Sequence, residues 1–401
     1  PVHAATHEFN FPHTRVLCRD VATLDADTVR EAARDGLSMH GRDGAAWSGR
    51  PDVVFGGPPC QGFSFIGKRL IDDPRNGLVF HFLRIVSELA PRYFVMENVP
   101  GMARGGHASI LRQLIREFQE GGYSVVQPHR VLNAADYGVP QDRKRLFLLG
   151  ARDGERLPTY SKPTVRPVPK RPLAQTSMPD GGLPTGPTVW DAIGDIPDLD
   201  QFDELRRADS VLLDEDQLAL MDSRAQPYAR RLRDPLLDSA DLSYRRDWDH
   251  RLLTCSMRTE HTDLSIERFR ATACGATEPI SRFYKLDPDG LCNTLRAGSG
   301  SERGAFTSPR PIHPMLPRVL SVREAARLHS FPDWFRFHET KWHGFRQIGN
   351  AVAPLVGRAA AGAIIAAIDI TLKKPTAIVK QGDPRLLQMT MREAAEHFGA
   401  E

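Results

Sequence analysis

Short apolar runs alternate with helical patterns over the first 150 residues of the chain, an order typical of a parallel α/β sheet. Between two of the runs, apolar residues recur at helical spacing from Ile110 to Phe118, and Gly121–Gly122 is predicted to end that helix. The predicted strands are residues 15–18, 52–55, 93–96, 125–131 and 145–149.

The first three of these strands each run into a polar residue that can act in chemistry. Asp20 and Glu97 follow the first and third strands, and Cys60 lies in the loop after the second. Because ligands of a doubly wound sheet bind beyond the carboxyl ends of its strands, we expect these three side chains to converge on one crevice.

The pattern changes beyond residue 157. Eight prolines fall between Pro158 and Pro187, a density that no helix or central strand tolerates. We therefore predict that residues 1–157 form a first domain and that residues 158–187 form an extended linker on its surface.

Helical order returns toward the end of the chain. A capping-box pattern from Ser321 to Glu324 opens a helix through His329, and a last helix is predicted from Pro354 to Leu372. The stretch before them carries charged clusters but no periodicity that assigns its secondary structure. Beyond the linker we expect a second domain, a return of the first domain and a C-terminal extension, at residues 188–318, 319–372 and 373–401 respectively.

Composition and charge exclude several classes of protein. The 401 residues include 53 basic and 50 acidic side chains, and a net charge of +3 does not by itself indicate a nucleic-acid binder. The five cysteines are scattered without a Cys-x-x-Cys pair, so we expect a reduced intracellular protein without a disulfide framework or metal site. No signal peptide is seen, and the most apolar stretch, residues 359–368, is too short to cross a bilayer. We expect a soluble, cytoplasmic protein that does not contact a membrane.

Cys60 lies in a loop suited to a nucleophile. The loop reads Gly-Gly-Pro-Pro-Cys-Gln-Gly-Phe-Ser over residues 56–64. Its first two glycines allow a sharp exit from the strand, and its prolines stiffen the backbone. A lone cysteine is more often a small buried apolar residue. A rigid loop that presents a thiol at the edge of a sheet nevertheless favours a reactive thiolate.

Other candidate residues carry weaker signals. A buried Glu97 can protonate a ring nitrogen beside a cysteine nucleophile, although a glutamate at a strand end is more often a surface residue. Arg143 and Arg145, in the run Gln-Asp-Arg-Lys-Arg at residues 141–145, can hold a carbonyl oxygen or a phosphate, although this segment taken alone favours a solvated charge run. Residues 349–354 (Gly-Asn-Ala-Val-Ala-Pro) predict a tight turn before the last helix.

Taken in this order, these segments resemble the DNA cytosine-5 methyltransferase family. Residues 11–20 look like the segment that follows the second motif of the family. Five ordered motifs with the expected neighbours make a chance match very improbable, and the match spans residues 1–150 and 310–372. The motifs are the Pro-Cys loop at 56–64, Glu-Asn-Val at 97–99, Gln-x-Arg-x-Arg at 141–145, Arg-Glu-Ala-Ala-Arg-Leu-His-Ser-Phe-Pro at 323–332 and the turn at 349–354.

The resemblance implies a covalent mechanism on DNA. The thiolate of Cys60 would attack C6 of a cytosine while Glu97 protonates or hydrogen-bonds N3, and C5 would then take a methyl group from S-adenosylmethionine. Loss of the C5 proton and of Cys60 would give 5-methylcytosine and S-adenosylhomocysteine. Arg145 would hold the cytosine O2 and Glu97, with Arg143 supporting the site. The implied cofactor-binding residues are Asp20, at the adenine, and Val21, Pro59, Leu78, Asn350 and Val352.

The resemblance also implies a fold and a partner. The fold would be α/β, a Rossmann-like class I methyltransferase domain with a mostly parallel sheet, plus a smaller irregular target-recognition domain at residues 188–318. The partner would be double-stranded DNA, whose target base must be flipped out of the stack. Arginine clusters in residues 188–318, which we call the middle region, suit phosphate contacts, whereas contacts to base edges would set the DNA sequence that is recognised. The compact architecture leads us to expect a bacterial restriction–modification enzyme.

One family motif is missing from this sequence. The Asp-x-Phe-x-Gly-x-Gly loop, which cradles the methionine end of the cofactor, is not found between residues 1 and 401. We expect the loop either on residues that precede this sequence or on a second polypeptide, as in split members of the family. On either account, this chain alone should bind S-adenosylmethionine poorly.

Three other interpretations stay open. A transfer-RNA cytosine methyltransferase of the same fold would usually lack so large a middle region. A non-catalytic DNA-binding or regulatory homologue would explain the missing loop but not the intact Cys60, Glu97, Arg143 and Arg145. A generic nucleotide-binding α/β protein would give no reason for the Pro-Cys loop.

Overall fold

The computed structural model describes residues 1–59, 77–169, 182–298 and 310–400. Cys60, the predicted nucleophile, lies outside the described residues, as does part of the Pro-rich linker, residues 170–181. The described linker residues form no helix and only an isolated bridge between Arg166 and Thr185.

Helices and strands are numbered in chain order. The strands are β1 (Val53–Gly56), β2 (Tyr93–Asn98), β3 (Tyr123–Val125), β4 (Arg130–Asn133), β5 (Gln141–Asp142), β6 (Lys144–Arg152), β7 (Val211–Leu212), β8 (Arg245–Asp247), β9 (Leu252–Leu253), β10 (Cys292–Asn293) and β11 (Ile378–Lys380). The helices are α1 (Val2–Asn10), α2 (Ala26–Met39), α3 (Gly77–Leu89), α4 (His107–Glu120), α5 (Val189–Ile193), α6 (Glu215–Arg224), α7 (Pro227–Arg233), α8 (Asp263–Ala271), α9 (Val322–Leu328), α10 (Lys341–Asn350), α11 (Pro354–Ile368) and α12 (Met391–Phe398).

A five-stranded sheet lies at the centre of the first part of the chain. β1 and β2 pair in parallel, with Val53 opposite Tyr93. β2, β3 and β4 each pair antiparallel with β6. A short connection between β4 and β6 suits antiparallel pairing, because a parallel neighbour would need a long crossover. The predicted parallel arrangement therefore holds for β1 and β2, while the described sheet as a whole is mixed.

The two faces of this sheet are covered by different helices. Phe94 and Met96 point to the face covered by α3 and α4. Tyr93 and Val95 point to the other face, which α11 covers. Successive side chains of a strand point to opposite faces, and helices bury both of these, so β2 is a continuous apolar run.

Gly150 in β6 allows an aromatic cluster to form against the sheet. A Cβ atom at Gly150 would lie 2.0 Å from Cε1 of Phe94. The Phe94 ring stacks on Phe118 of α4, with ring centroids 4.1 Å apart. The absence of a side chain at Gly150 thus lets β2 and α4 pack closely.

The helical predictions are confirmed, with one shorter end. α4 ends at Gly121, as the double glycine indicated. α9 begins with a capping box in which the Ser321 hydroxyl accepts from Glu324 N–H and the Glu324 carboxylate accepts from Ser321 N–H. α11 stops at Ile368, before the predicted Leu372, because Asp369 adopts a left-handed backbone with φ +60°.

Two strand predictions are wrong. Residues 15–18 form no strand. β1 pairs with β2 along one of its edges, and residues 15–18 do not pair with the other edge of β1. A strand requires a hydrogen-bonded neighbour, which an apolar run alone does not supply. Residues 125–131 form β3 and β4 with a break between them, since Pro128 has no N–H for a ladder. The predicted strands at 52–55, 93–96 and 145–149 are confirmed as β1, β2 and β6.

The middle region packs in the same hydrophobic core as α9 and α10. Val189 and Tyr228 from α5 and α7 lie in one cluster with Ala325 and Phe345. This cluster contains residues from both sides of the predicted boundary at residue 318. The domain boundaries themselves stay predictions.

A buried arginine joins the middle region to the segment after α9. Arg327 is fully buried, and its guanidinium contacts Asp195 at 2.5 Å and Asp333 at 2.7 Å. Removing one partner of such a pair leaves a buried charge uncompensated, which typically destabilises a protein by about 3–5 kcal/mol. Arg327 is therefore an anchor of the large core.

The C-terminal extension has a structural role. Phe9 of α1 packs with Leu387 and with Ala394 of α12. β11 pairs in parallel with β8 of the middle region. The extension thus joins the N-terminal helix to the middle region.

One helical stretch of the described chain, Lys341–Ile368, is long and apolar enough to cross a membrane by length and composition. It comprises α10 and α11, which are separated at residues 351–353. Ala360 and Ile364 of α11 pack into the core beneath the sheet. A core helix of a soluble protein meets the same criterion, and the packing of α11 favours that interpretation.

Candidate active site

The loop after β1 runs against the end of β2. A Cβ atom at Gly57 would lie 3.1 Å from Oε2 of Glu97. Asn98, which is buried, donates its Nδ2–H to the carbonyl of Pro58 at 3.2 Å. Parallel pairing of β1 and β2 places these two chain ends at one edge of the sheet. The loop that carries Cys60 therefore leaves the described residues beside Glu97, since consecutive Cα atoms are only about 3.8 Å apart.

Glu97 and Arg145 form an ion pair at this edge. Nε of Arg145 lies 2.9 Å from Oε1 of Glu97, and both side chains are less than one-fifth exposed. The antiparallel register of β2 and β6 sets Glu97 opposite Phe147, which brings Arg145 to the same end of the sheet. The predicted association of Glu97 with Arg145 is thus present in the structure.

Burial dominates the ionisation of this pair. The pKa of Glu97 is raised above its ordinary value by burial, while the charges of Arg145 and Arg143 oppose the shift. Burial also lowers the pKa of Arg145, and Glu97 opposes that change. A carboxyl with a raised pKa holds a proton nearer to neutral pH, which suits a group that donates or shares a proton with a ring nitrogen.

Arg143 is turned inward and supports other segments of the chain. It is only 2% exposed, and burial lowers its pKa. Its guanidinium donates to the carbonyls of Leu295, Gly349 and Ala351 at 2.8, 2.8 and 2.9 Å. Arg143 therefore holds the turn before α11 in place and acts on Glu97 through its charge.

The turn before α11 also packs tightly against the end of the middle region. A Cβ atom at Gly349 would lie 2.3 Å from the backbone N of Ala297 and 2.3 Å from the carbonyl C of Arg296. Only a glycine allows this approach of two backbones. The stretch from Thr294 to Gly298 therefore lies directly against the 349–354 turn.

Asp20 and Val21 lie in a turn beside α2 and α3. The Asp20 carboxylate is exposed and accepts the N–H of Ala22 at 2.9 Å. Val21 packs near Ile85, and its carbonyl accepts from Arg84 at 2.8 Å. Because residues 15–18 are not a strand, the expected convergence of Asp20 with Glu97 loses its basis. The cofactor role of Asp20 and Val21 stays a prediction.

The other predicted cofactor residues lie near the loop and the turn. Pro59 is exposed at the end of the described loop, and Leu78 is half-buried at the start of α3. Asn350 is exposed at the end of α10, and Val352 packs beside the sheet. Arg143 connects the last two to the reaction site through Ala351. Their contacts with a cofactor stay predictions.

Two further residues of this site were not singled out from the sequence. Gln141 and His329, both fully buried, lie 3.0 Å apart between Gln141 Nε2 and His329 Nδ1. Each belongs to a quoted motif, but only the structure shows that the two motifs meet. Within the described ranges, no group of three or more His, Cys, Asp or Glu side chains is arranged to hold a metal ion.

Known proteins resemble this chain over most of its length. The family model described as C-5 cytosine-specific DNA methylase matches residues 42–366. The chain is 50% identical over 399 residues to the type II methyltransferase M.XorII of Xanthomonas oryzae pv. oryzae, covering 100% of this chain and 85% of that protein. It is 31% identical over 413 residues to the type II methyltransferase M.AgeI of Thalassovita gelatinovora, covering 91% and 92%.

A solved structure resembles the fold. It is a putative DNA modification methyltransferase encoded within a prophage of E. coli, with a TM-score of 0.62 and 30% identity over 92% of this chain and 90% of that one. This likeness confirms the predicted fold class, a Rossmann-like α/β domain.

Proposed function

This chain belongs to the C-5 cytosine-specific DNA methylase family, and we propose that it methylates cytosine at C5 within a specific duplex sequence through a covalent Cys60 adduct. Its role would be the modification half of a bacterial restriction–modification system, since similar proteins from bacteria are named type II methyltransferases. The observation that carries the proposal is the largely buried Glu97–Arg145 pair beside the loop that leads to Cys60.

In the proposed reaction, the thiolate of Cys60 adds to C6 of the cytosine while Glu97 gives its proton to N3. The ring then carries a nucleophilic C5, which would form a bond to the methyl group while the bond from that methyl group to the sulfonium sulfur breaks and S-adenosylhomocysteine is released. A base removes the proton from C5, the electrons of the C6–S bond return to Cys60, and N3 returns its proton to Glu97. Arg145 would hold both Glu97 and the cytosine O2, because its planar guanidinium presents several donors in fixed directions.

The cofactor would be S-adenosylmethionine, which when bound supplies an electrophilic methyl group. At its adenine end, the exposed carboxylate of Asp20 can accept from an amino group. The half-buried Leu78 and Val352 are the apolar residues that the resemblance implies for the cofactor. The methionine end would be held by the Asp-x-Phe-x-Gly-x-Gly loop of the family. That loop would complete the pocket.

The DNA would be held through its phosphates and read through its bases. Arg230, Arg231 and Arg245 of the middle region are exposed and can neutralise phosphates. Because C5 and C6 of a stacked cytosine are out of reach of Cys60 and Glu97, the base must rotate into the site. We infer that these arginines set affinity and that other side chains of the middle region set the sequence recognised.

Covalent trapping tests the proposal. The full natural protein and S-adenosylmethionine are incubated with duplex DNA that contains 5-fluorocytosine, in which fluorine blocks the last elimination. We expect a complex that survives denaturation and disappears in Cys60→Ala. Cys274→Ala is the matched control, because Cys274 is an exposed cysteine without a disulfide and does not belong to the Pro-Cys loop at residues 56–64.

Two results would contradict the proposal. Full trapping in Cys60→Ala would show that another residue is the nucleophile. Adducts with fluorinated transfer RNA but none with DNA of mixed sequence would assign the activity to RNA.

A further inference from the structure

A closed ring of hydrogen bonds lies behind the candidate active site. Its members are Gln141, Arg143, Leu295, His329 and Ala351, and we call it the Gln141 ring. The Leu295 N–H donates to Gln141 Oε1 at 3.1 Å, and Gln141 Nε2 contacts His329 Nδ1 at 3.0 Å. His329 Nε2 contacts the Ala351 carbonyl at 3.1 Å, and Arg143 donates to that carbonyl and to the Leu295 carbonyl.

The ring fixes the tautomer of His329. The amide nitrogen of Gln141 only donates, so His329 Nδ1 must accept and carry no proton. A carbonyl only accepts, so His329 Nε2 must carry the proton and donate to Ala351. Gln141 Nε2 uses its second hydrogen on the Leu328 carbonyl at 3.1 Å. The pattern requires a neutral imidazole.

The surroundings of His329 favour the same neutral form. Its side chain is fully buried, and this burial lowers its pKa well below the ordinary value. The charged groups that act on it, Arg143 and Arg145, also disfavour an imidazolium, and only the bond to Ala351 opposes them. The Phe331 side chain stacks on the His329 imidazole, with ring centroids 5.8 Å apart.

We propose that Gln141 and His329 are positioning residues that hold Arg143 and the 349–354 turn in fixed register at the reaction site. This inference rests on the proposed function. The ring joins β5, the end of the middle region, the end of α9 and the turn that carries Asn350 and Val352. Through Arg143, the ring fixes the position of a positive charge that acts on Glu97. Through Ala351, it fixes the positions of Asn350 and Val352, the predicted cofactor residues in the turn.

A purely structural role for His329 makes a different prediction. Filling the site with apolar atoms of similar size would then lower only the stability, and the folded protein would react normally. A positioning role requires that the folded protein itself reacts more slowly, because small displacements of reacting groups reduce rates strongly. The two roles are separated by kinetics on protein that is shown to be folded.

The test compares His329→Leu with His329→Gln in the full natural protein. A glutamine amide can accept from Gln141 through its oxygen and donate to Ala351 through its nitrogen, whereas leucine can do neither. We expect His329→Leu to lower kcat by about 10- to 100-fold and to raise KM for S-adenosylmethionine. His329→Gln should stay within about threefold of the wild type, and thermal melting should confirm that both variants are folded.

The protonation of the ring is tested separately by nitrogen-15 NMR of the histidine side chains. We expect a proton on Nε2 of His329 and no titration of this ring between pH 7.5 and 5.5. A proton on Nδ1, a normal titration, or equal loss of activity in both variants would overturn the inference. An active wild type with an unimpaired His329→Leu would overturn the inference alone, whereas full trapping in Cys60→Ala would overturn the proposed function.

Discussion

The Glu97–Arg145 pair gives a test in which the pH dependence of stability carries the information. Glu97 is raised in pKa by burial, and Arg145 at 2.9 Å partly offsets this rise. In Arg145→Gln the offset is lost, and the pKa of Glu97 in the folded protein should rise further. An opposite charge at this distance typically shifts a carboxyl by about 1–3 pH units, which corresponds to about 1–4 kcal/mol.

The direction of the pH dependence of stability follows from the protonation of Glu97 in the folded and unfolded states. Below the unfolded pKa of Glu97, this residue is protonated in both the folded and unfolded chain, so its titration adds nothing to the effect of Arg145→Gln. As the pH rises, the unfolded chain ionises first, and the folded state loses stability until the raised folded pKa is passed. The substitution should therefore destabilise the protein by about 1–4 kcal/mol more near pH 8 than near pH 4.

Urea denaturation of the wild type and Arg145→Gln near pH 4 and near pH 8 measures this difference. The double variant Glu97→Gln, Arg145→Gln is the control, because it lacks the carboxyl and should show no such pH dependence. In activity, the descending limb of the kcat/KM profile should move to higher pH in Arg145→Gln. An equal loss of stability at both pH values would refute the assigned coupling.

Two other predictions concern packing and buried charge. Gly349→Ala should destabilise the protein by about 1–3 kcal/mol, because the new Cβ atom clashes with the Ala297 backbone. Gly362→Ala lies on an exposed part of α11 with no atom within 4 Å of its Cβ, so it should stabilise the protein by about 0.5–1 kcal/mol. Urea denaturation that ranks the two variants otherwise contradicts the close approach of Gly349 to Ala297. Arg327→Met should cost about 3–5 kcal/mol because it leaves two carboxylates buried, while Arg392→Ala, which breaks an exposed pair, should cost about 0–1 kcal/mol. Similar melting temperatures for these two variants would show that Arg327 is not an anchor.

Local pattern was sufficient for the elements whose boundaries are set by local chemistry. α4 ends where its double glycine lies, and α9 begins where Ser321 and Glu324 can cap each other. The strand predicted at residues 15–18 is wrong because a strand depends on a hydrogen-bonded neighbouring strand as well as on its own side chains. The antiparallel direction of β6 was also not visible, since an apolar run looks the same in either direction.

The middle region could not be assigned because several of its elements are short and because much of the hydrophobic core that they pack in comes from other parts of the chain. α5 has five residues, and β7, β9 and β10 have two each. Such elements show less than two turns or one alternation of a pattern. They are held by α9 and α10, which follow them in the chain, and by Arg327. These elements are stabilised by tertiary packing, which the sequence of each segment alone does not show.

Some residues of the candidate site could be identified from the sequence, whereas others are brought to the site only by the packing of distant segments. Glu97 and Arg145 were assigned to the site through the motifs that resemble the family, and the structure places them in contact. Gln141 and His329 are separated by 188 positions and carry no local sign that they meet. Their meeting depends on β10 pairing with β5, which sets Asn293 beside Asp142 and brings Leu295 to Gln141. Reactive groups can therefore be inferred from their motifs, whereas the groups that hold them in position depend on how distant segments pack.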